Sequence, residues 1–69
     1  MKATPQEALR TTLREYLNST IASSGGRVGL AQVELNAMRK LAQGDSRLND
    51  KVKEELLQIY QQVSDDLHL

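Results

Sequence analysis

The 69-residue chain is about half of one typical domain, which excludes a multidomain enzyme, a large sheet and a deep solvent-excluded pocket. Apolar residues make up 39% of it and are almost all aliphatic. With two Tyr and no Phe, Trp or Cys, there is no disulfide framework, thiolate nucleophile or zinc–thiolate site. Nine Lys/Arg balance nine Asp/Glu, which removes the global attraction to nucleic acid or anionic membrane that a basic protein carries.

The first element opens at Thr4-Pro5-Gln6-Glu7. Thr4 can cap the Glu7 amide, Glu7 can reach back, and Pro5 sits where its missing N–H costs nothing. From there Leu9, Leu13, Tyr16, Leu17, Thr20 and Ile21 recur at three- and four-residue steps, while Thr11, Glu15 and Asn18 lie opposite. The pattern predicts an amphipathic helix over about 5–23. Ser23-Ser24-Gly25-Gly26 ends it, because paired glycines remove helix propensity and supply left-handed backbone for a cap.

A second helix is predicted over about 30–43, with Gly44 in the cap position and Arg39 and Lys40 near its negative end. Its apolar residues Leu30, Ala31, Val33, Leu35, Ala37, Met38, Leu41 and Ala42 cover about 200° of the surface at 100° per residue. That is wide for a helix with one buried side. Either this is the central element, flanked by both neighbours, or part of the face meets another subunit. The third helix is predicted over about 50–67, with Asn49 as N-cap and Asp50 in the first turn. Its stripe is Leu48, Val52, Leu56, Ile59, Val63 and Leu67, widened by Leu57 and Tyr60. It is too short for a free-standing coiled coil and suits a bundle. No strand-length alternation occurs, so the fold class is all-α: a single helical domain over residues 1–69 built as a small three-helix bundle. Burial in a chain this short only about offsets the entropy of ordering it, which favours a dimer or another partner chain.

Few constellations suggest chemistry. His68, the single histidine, stands next to last, with no positioned acid or second ligand. Glu54-Glu55 and Asp65-Asp66 are adjacent on helices and point about 100° apart, which suits solvated surface better than a shared proton. The stretch from Asp45 to Asp50 resembles a calcium loop only superficially, since Arg47 stands third and the sixth-place glycine is missing. No cofactor, metal site or catalytic residue is expected, and the chain reads as non-enzymatic.

Charge order carries more information. All nine basic residues lie in positions 1–53 against five acids, a net +4, and positions 54–69 carry −4. Arg39, Lys40, Arg47, Lys51 and Lys53 fall around the junction of helices two and three, as a phosphate-contacting patch, a dock for an acidic partner, or ordinary solvated charge. Direct groove reading by the third helix is disfavoured, because Asp50, Glu54 and Glu55 would face phosphate.

Glu34 is the most informative single residue, since its direction falls inside the apolar arc between Leu30, Leu41 and Met38. A buried lone carboxylate is costly. Glu34 must reach water from its place near the helix start or pair with Arg10, Arg14 or a Tyr hydroxyl; the sharper alternative is an interfacial contact that fixes one arrangement of two chains. Tyr16 and Tyr60 sit at the rims of their stripes, where a ring can be buried and its hydroxyl wet. The expected interaction residues are Glu34, Leu35, Met38, Tyr16, Tyr60 and Leu57.

Tyr16-Leu17, the glycine-containing link after it, Gly44-Asp45 and Asn49-Asp50-Lys51 together resemble the small enterobacterial connector proteins related to AriR and YmgA. These are helical regulators of biofilm and acid resistance in which a Tyr-Phe pair, a leucine-rich middle helix, Gly-Asp or Gly-Glu and Asn-Asn-Lys come in similar order. The resemblance spans roughly residues 16–66, departing at Leu17, Asp50 and an extra residue between Gly44 and Asn49. It implies a dimeric helical bundle acting through protein contacts, with any DNA association indirect, and it transfers no catalytic residues.

The expected function is a small bacterial regulatory adaptor that works by helix-mediated contact with a protein partner or with itself as a homodimer. The alternatives are a nucleic-acid-associated regulator using the basic patch and an assembly protein of the phage-accessory or secretion-chaperone kind. No apolar run approaches the ~18 residues that span a bilayer, and Met1-Lys2-Ala3-Thr4-Pro5 turns polar at once. The expected setting is therefore cytoplasmic, off the membrane and without processing.

Overall fold

The computed structural model describes residues 4–69; Met1, Lys2 and Ala3, on which the expectation of an unprocessed start partly rests, lie outside the described residues. Three helices make up the fold: α1 (Pro5–Ser23), α2 (Gly29–Gly44) and α3 (Asp50–Leu67), each packed against the other two. Helix α2 is one residue longer at each end than its apolar pattern indicates.

The capping chemistry explains where the helices start and stop. The Thr4 hydroxyl accepts the Glu7 amide at 3.1 Å, and Asn49 Oδ1 accepts the Val52 amide at 2.8 Å, so α1 and α3 each begin with an orphan donor satisfied. Asn49→Ala is accordingly expected to lower unfolding free energy by about 1 kcal/mol in a urea titration; a stability equal to the parent's would show that the cap does not matter. Helix α2 has no such help, since its N-cap is Val28.

At the end of α1, Gly26 donates to the Ile21 carbonyl at 2.9 Å and Gly25 to that of Ala22 at 3.2 Å, a Schellman closure. Gly25 and Gly26 have φ of 73° and 86°, the left-handed backbone that the sequence assigns to them. The same closure recurs after α3, where Leu69 donates to Ser64 at 2.9 Å and His68 to Asp65 at 3.3 Å, with His68 left-handed at φ 57°. Ser64 Oγ donates to the Leu69 carbonyl, and Leu69 packs on the core. His68 and Leu69 thus form an anchored cap on α3.

Gly44 departs from its assigned role. It is the last helical residue, and Asp45 is the C-cap with extended backbone (φ −82°, ψ 104°). Asp45 Oδ1 accepts the Arg47 amide at 3.0 Å, so a side chain makes the turn that a left-handed glycine would otherwise make.

The core cluster draws two buried aliphatics from each helix: Leu13 and Leu17, Ala31 and Leu35, Ile59 and Val63. Ile21, Met38, Tyr60, Leu67 and Leu69 pack around it. Pro5 shares a cleft with Val52 while Arg14 reaches Asp66, so α1 and α3 run parallel. Ala42 lies near Leu56, Leu35 near Ser64, and Ser23 near Leu30, so α2 runs antiparallel to both. A forked contact ties the two parallel helices: Arg10 donates to both Asp66 oxygens at 2.8–3.1 Å, with Arg14 at 3.7 Å. The molecule is flat, 38 × 34 × 16 Å, with a radius of gyration of 12.5 Å. A compact domain of this length has about 11 Å.

Candidate protein-docking face

The wide apolar arc of α2 divides in two. Ala31, Leu35 and Ala42 are buried, and Met38 packs beside them. The other half points outward: Leu30 is 53% exposed, Val33 65% and Leu41 74%, with Ala37 exposed among them. Both neighbours of α2 lie on one side of it, so the arc exceeds what they can cover. Exposed single apolar residues are ordinary; a run of them along one helix edge is not.

Leu35 therefore cannot meet a partner, because its 2% exposure and its packing against Leu17 and Val63 make it core. Met38 and Tyr60 are half-buried against the same cluster, and Leu57 is half-buried on α3. Of the six expected interaction residues, Tyr16 and Glu34 adjoin the exposed edge. Sequence reasoning put Leu30, Val33 and Leu41 in the arc without separating them from Leu35. The separating signal is angular: Ala31, Leu35, Met38 and Ala42 align within about 60°, and Leu30, Val33, Ala37 and Leu41 span ~80° beyond a gap of about 60° in which Glu34 falls.

Glu34 and Tyr16 meet where the end of α1 passes the start of α2. They line an open cleft of about 270 Å³ with Leu30 and four hydroxyl residues, Ser19, Thr20, Ser23 and Ser24. The Tyr16 ring is 52% exposed, so it is less buried than its rim position implies. The Glu34 carboxylate raises the Tyr16 phenol above its ordinary pKa, first as a nearby hydrogen-bond acceptor for the protonated form and then through its charge. The contact leaves Glu34 unsatisfied, since Oε2 is closed off from solvent and accepts no hydrogen bond. Arg10 and Arg14, the other donors considered for it, are committed to Asp66.

The basic residues do not form one patch. Arg39 donates to Gln61 at 3.2 Å in the groove between α2 and α3. Lys40 and Arg47 border a separate shallow cleft with Leu41, Gly44 and Asp45. Arg47 forks onto Asp45 at 3.0 Å, and this contact, with lesser help from Lys53, holds the Asp45 carboxyl below the usual range. An acid thus occupies the middle of the group formed by Lys40, Arg47 and Lys53. Lys51 is exposed on the first turn of α3.

Among the described residues no group of three His, Cys, Asp or Glu could hold a metal ion, and no helix is long and apolar enough to cross a membrane. No protein-family model, curated protein or solved structure matches the chain.

Proposed function

We propose that the protein is a small non-enzymatic adaptor of a regulatory pathway, acting in the cytoplasm by docking another protein chain on the outer edge of α2. The observation that carries this reading is the row Leu30, Val33, Ala37 and Leu41, apolar, exposed and placed on a regular helix that needs no rearrangement to present it. Helix-on-helix docking uses this spacing of anchors, and the chain's zero net charge leaves apolar contact as the main source of affinity. The resemblance to the AriR and YmgA connectors agrees with a regulatory role.

The test is cross-linking in extract followed by binding measurements on the recovered protein partner. Val33→Asp and Leu41→Asp should each keep the helical circular dichroism and abolish the complex. Binding should also change little from ~50 to ~200 mM salt. A complex indifferent to both variants, or one with an oligonucleotide that weakens steeply over that range and requires Lys40 and Lys53, would overturn the reading in favour of phosphate recognition.

A further inference from the structure

We infer that the cleft between the end of α1 and the start of α2 is a guanidinium site, filled by an arginine side chain of the protein chain that docks on the α2 edge. The inference rests on the docking reading and names the residue type that the partner carries. Glu34 supplies the charge. Its direction falls between the buried and the exposed rows of α2, so it lines the cleft from the flank of the docking edge. Its Oε2 has no hydrogen-bond partner, and no Lys or Arg of this chain lines the cleft. Arg10 and Arg14 are held by Asp66 of α3. A carboxylate placed in this way is completed by a cation from outside the chain.

The hydroxyls add acceptors to it. Thr20 Oγ1 gives its proton to the Tyr16 carbonyl at 3.2 Å, and Ser24 Oγ gives its own to the Ile21 or the Arg27 carbonyl, at 3.0 and 2.9 Å. A hydroxyl has a single proton, so these oxygens have only lone pairs left to offer a ligand. Acceptors therefore come from both helices, and an anion is repelled by Glu34. An ammonium is a compact, strongly hydrated charge, whereas a guanidinium is planar and gives up its water more readily. One edge of it forks onto a carboxylate, and its remaining N–H groups are free for hydroxyls lining the same space. Tyr16 borders the cleft with its ring 52% exposed, a surface on which a guanidinium stacks.

Size and position make the ligand a side chain. The cleft is open and about 270 Å³, just under the ~300–1,000 Å³ of pockets that enclose a separate small molecule. Leu30 belongs both to its wall and to the exposed row, so the cleft continues the docking edge at the N-terminal end of α2. From Leu30 to Leu41 the helix advances ~16 Å. The partner segment is therefore a helix that is apolar along about three turns, with an arginine beyond one end of that stripe. An ionic contact at one end and an apolar one along the length together fix which way round the segment lies. A single ion pair, partly enclosed, is little screened, which keeps the small salt response expected of the complex.

N-Butylguanidinium, titrated to ~20 mM into the full-length isotope-labelled chain and followed by amide chemical shifts, tests the site by itself. The expected result is saturable shifts at Tyr16, Ser19, Ser23 and Glu34, with a dissociation constant on the order of 1 mM. Glu34→Gln should weaken binding about tenfold with helix content unchanged. N-Butylurea, which has the same shape without the charge, should not bind, and N-butylammonium should bind more weakly than the guanidinium. Shifts that do not saturate, that centre on the exposed acids of α3, or that persist in Glu34→Gln overturn the inference, and so does an ammonium that binds equally well. In the recovered complex Glu34→Gln should likewise cost about tenfold in affinity, and replacing the partner's arginine should then cost nothing more. Failure here is separable from failure of the docking reading. A complex that needs Val33 and Leu41 but is indifferent to Glu34→Gln overturns only the arginine. A Glu34-dependent cation site in a protein that forms no such complex overturns the docking reading, and with it the docked chain as the source of the guanidinium.

Discussion

Leu35→Ala is expected to cost about 3 kcal/mol of unfolding free energy, and Leu41→Ala in the same helix less than about 0.5 kcal/mol. Leu35 is 2% exposed within the cluster formed with Leu17, Ile59 and Val63, so truncation removes transfer energy and leaves a cavity that three packed helices cannot fill. Leu41, at 74% exposed, has little to lose. A chain of this size has only a few kcal/mol in hand, so the Leu35 variant should be measurably unfolded without denaturant. Urea titrations followed by far-UV circular dichroism measure both. Equal costs would mean that α2 is rotated from the orientation described, and the docking face would go with it.

Glu34→Leu is expected to stabilise the folded chain by about 1 kcal/mol, an unusual sign for a substitution at a half-buried site. The carboxylate has an oxygen closed to water with no donor, and an aliphatic side chain of similar length removes that cost while adding apolar contact. A second readout follows from Tyr16. Its raised pKa means that the folded state holds the phenolic proton more tightly than the unfolded chain does. The associated stability is complete below the ordinary value of 10.0 and is lost as pH climbs through the raised one. Glu34→Leu should therefore move Tyr16 ionisation, followed by ultraviolet difference absorption, to lower pH and flatten the alkaline fall in stability. If the phenol titrates unchanged, Glu34 is not what perturbs it.

Local chemistry was the most legible part of the sequence. Thr4, Asn49 and the Gly25-Gly26 pair act where their side chains or backbones are suited to act, because each operates within a few residues of itself. The α3 stripe was equally readable, since one row of aliphatics leaves one choice of inner face. The α2 arc was not, because a row of double width has two candidate inner faces and only the positions of α1 and α3 select between them. Leu35 and Leu41 look alike in sequence for that reason. The arrangement of the basic residues was not legible in the sequence because closeness along the chain says little about side-chain direction: Arg39 and Lys40 are adjacent and point into different clefts. The cap at His68 was hidden because the usual marker of such a closure is glycine.

The even division of the core has a mechanical consequence. Because every helix donates two of the six central side chains and the body is 16 Å through, no pair of helices retains an interior once the third lifts away. Isolated two-helix fragments are then expected to lack helical circular dichroism, and the three helices to fold and unfold as one cooperative unit.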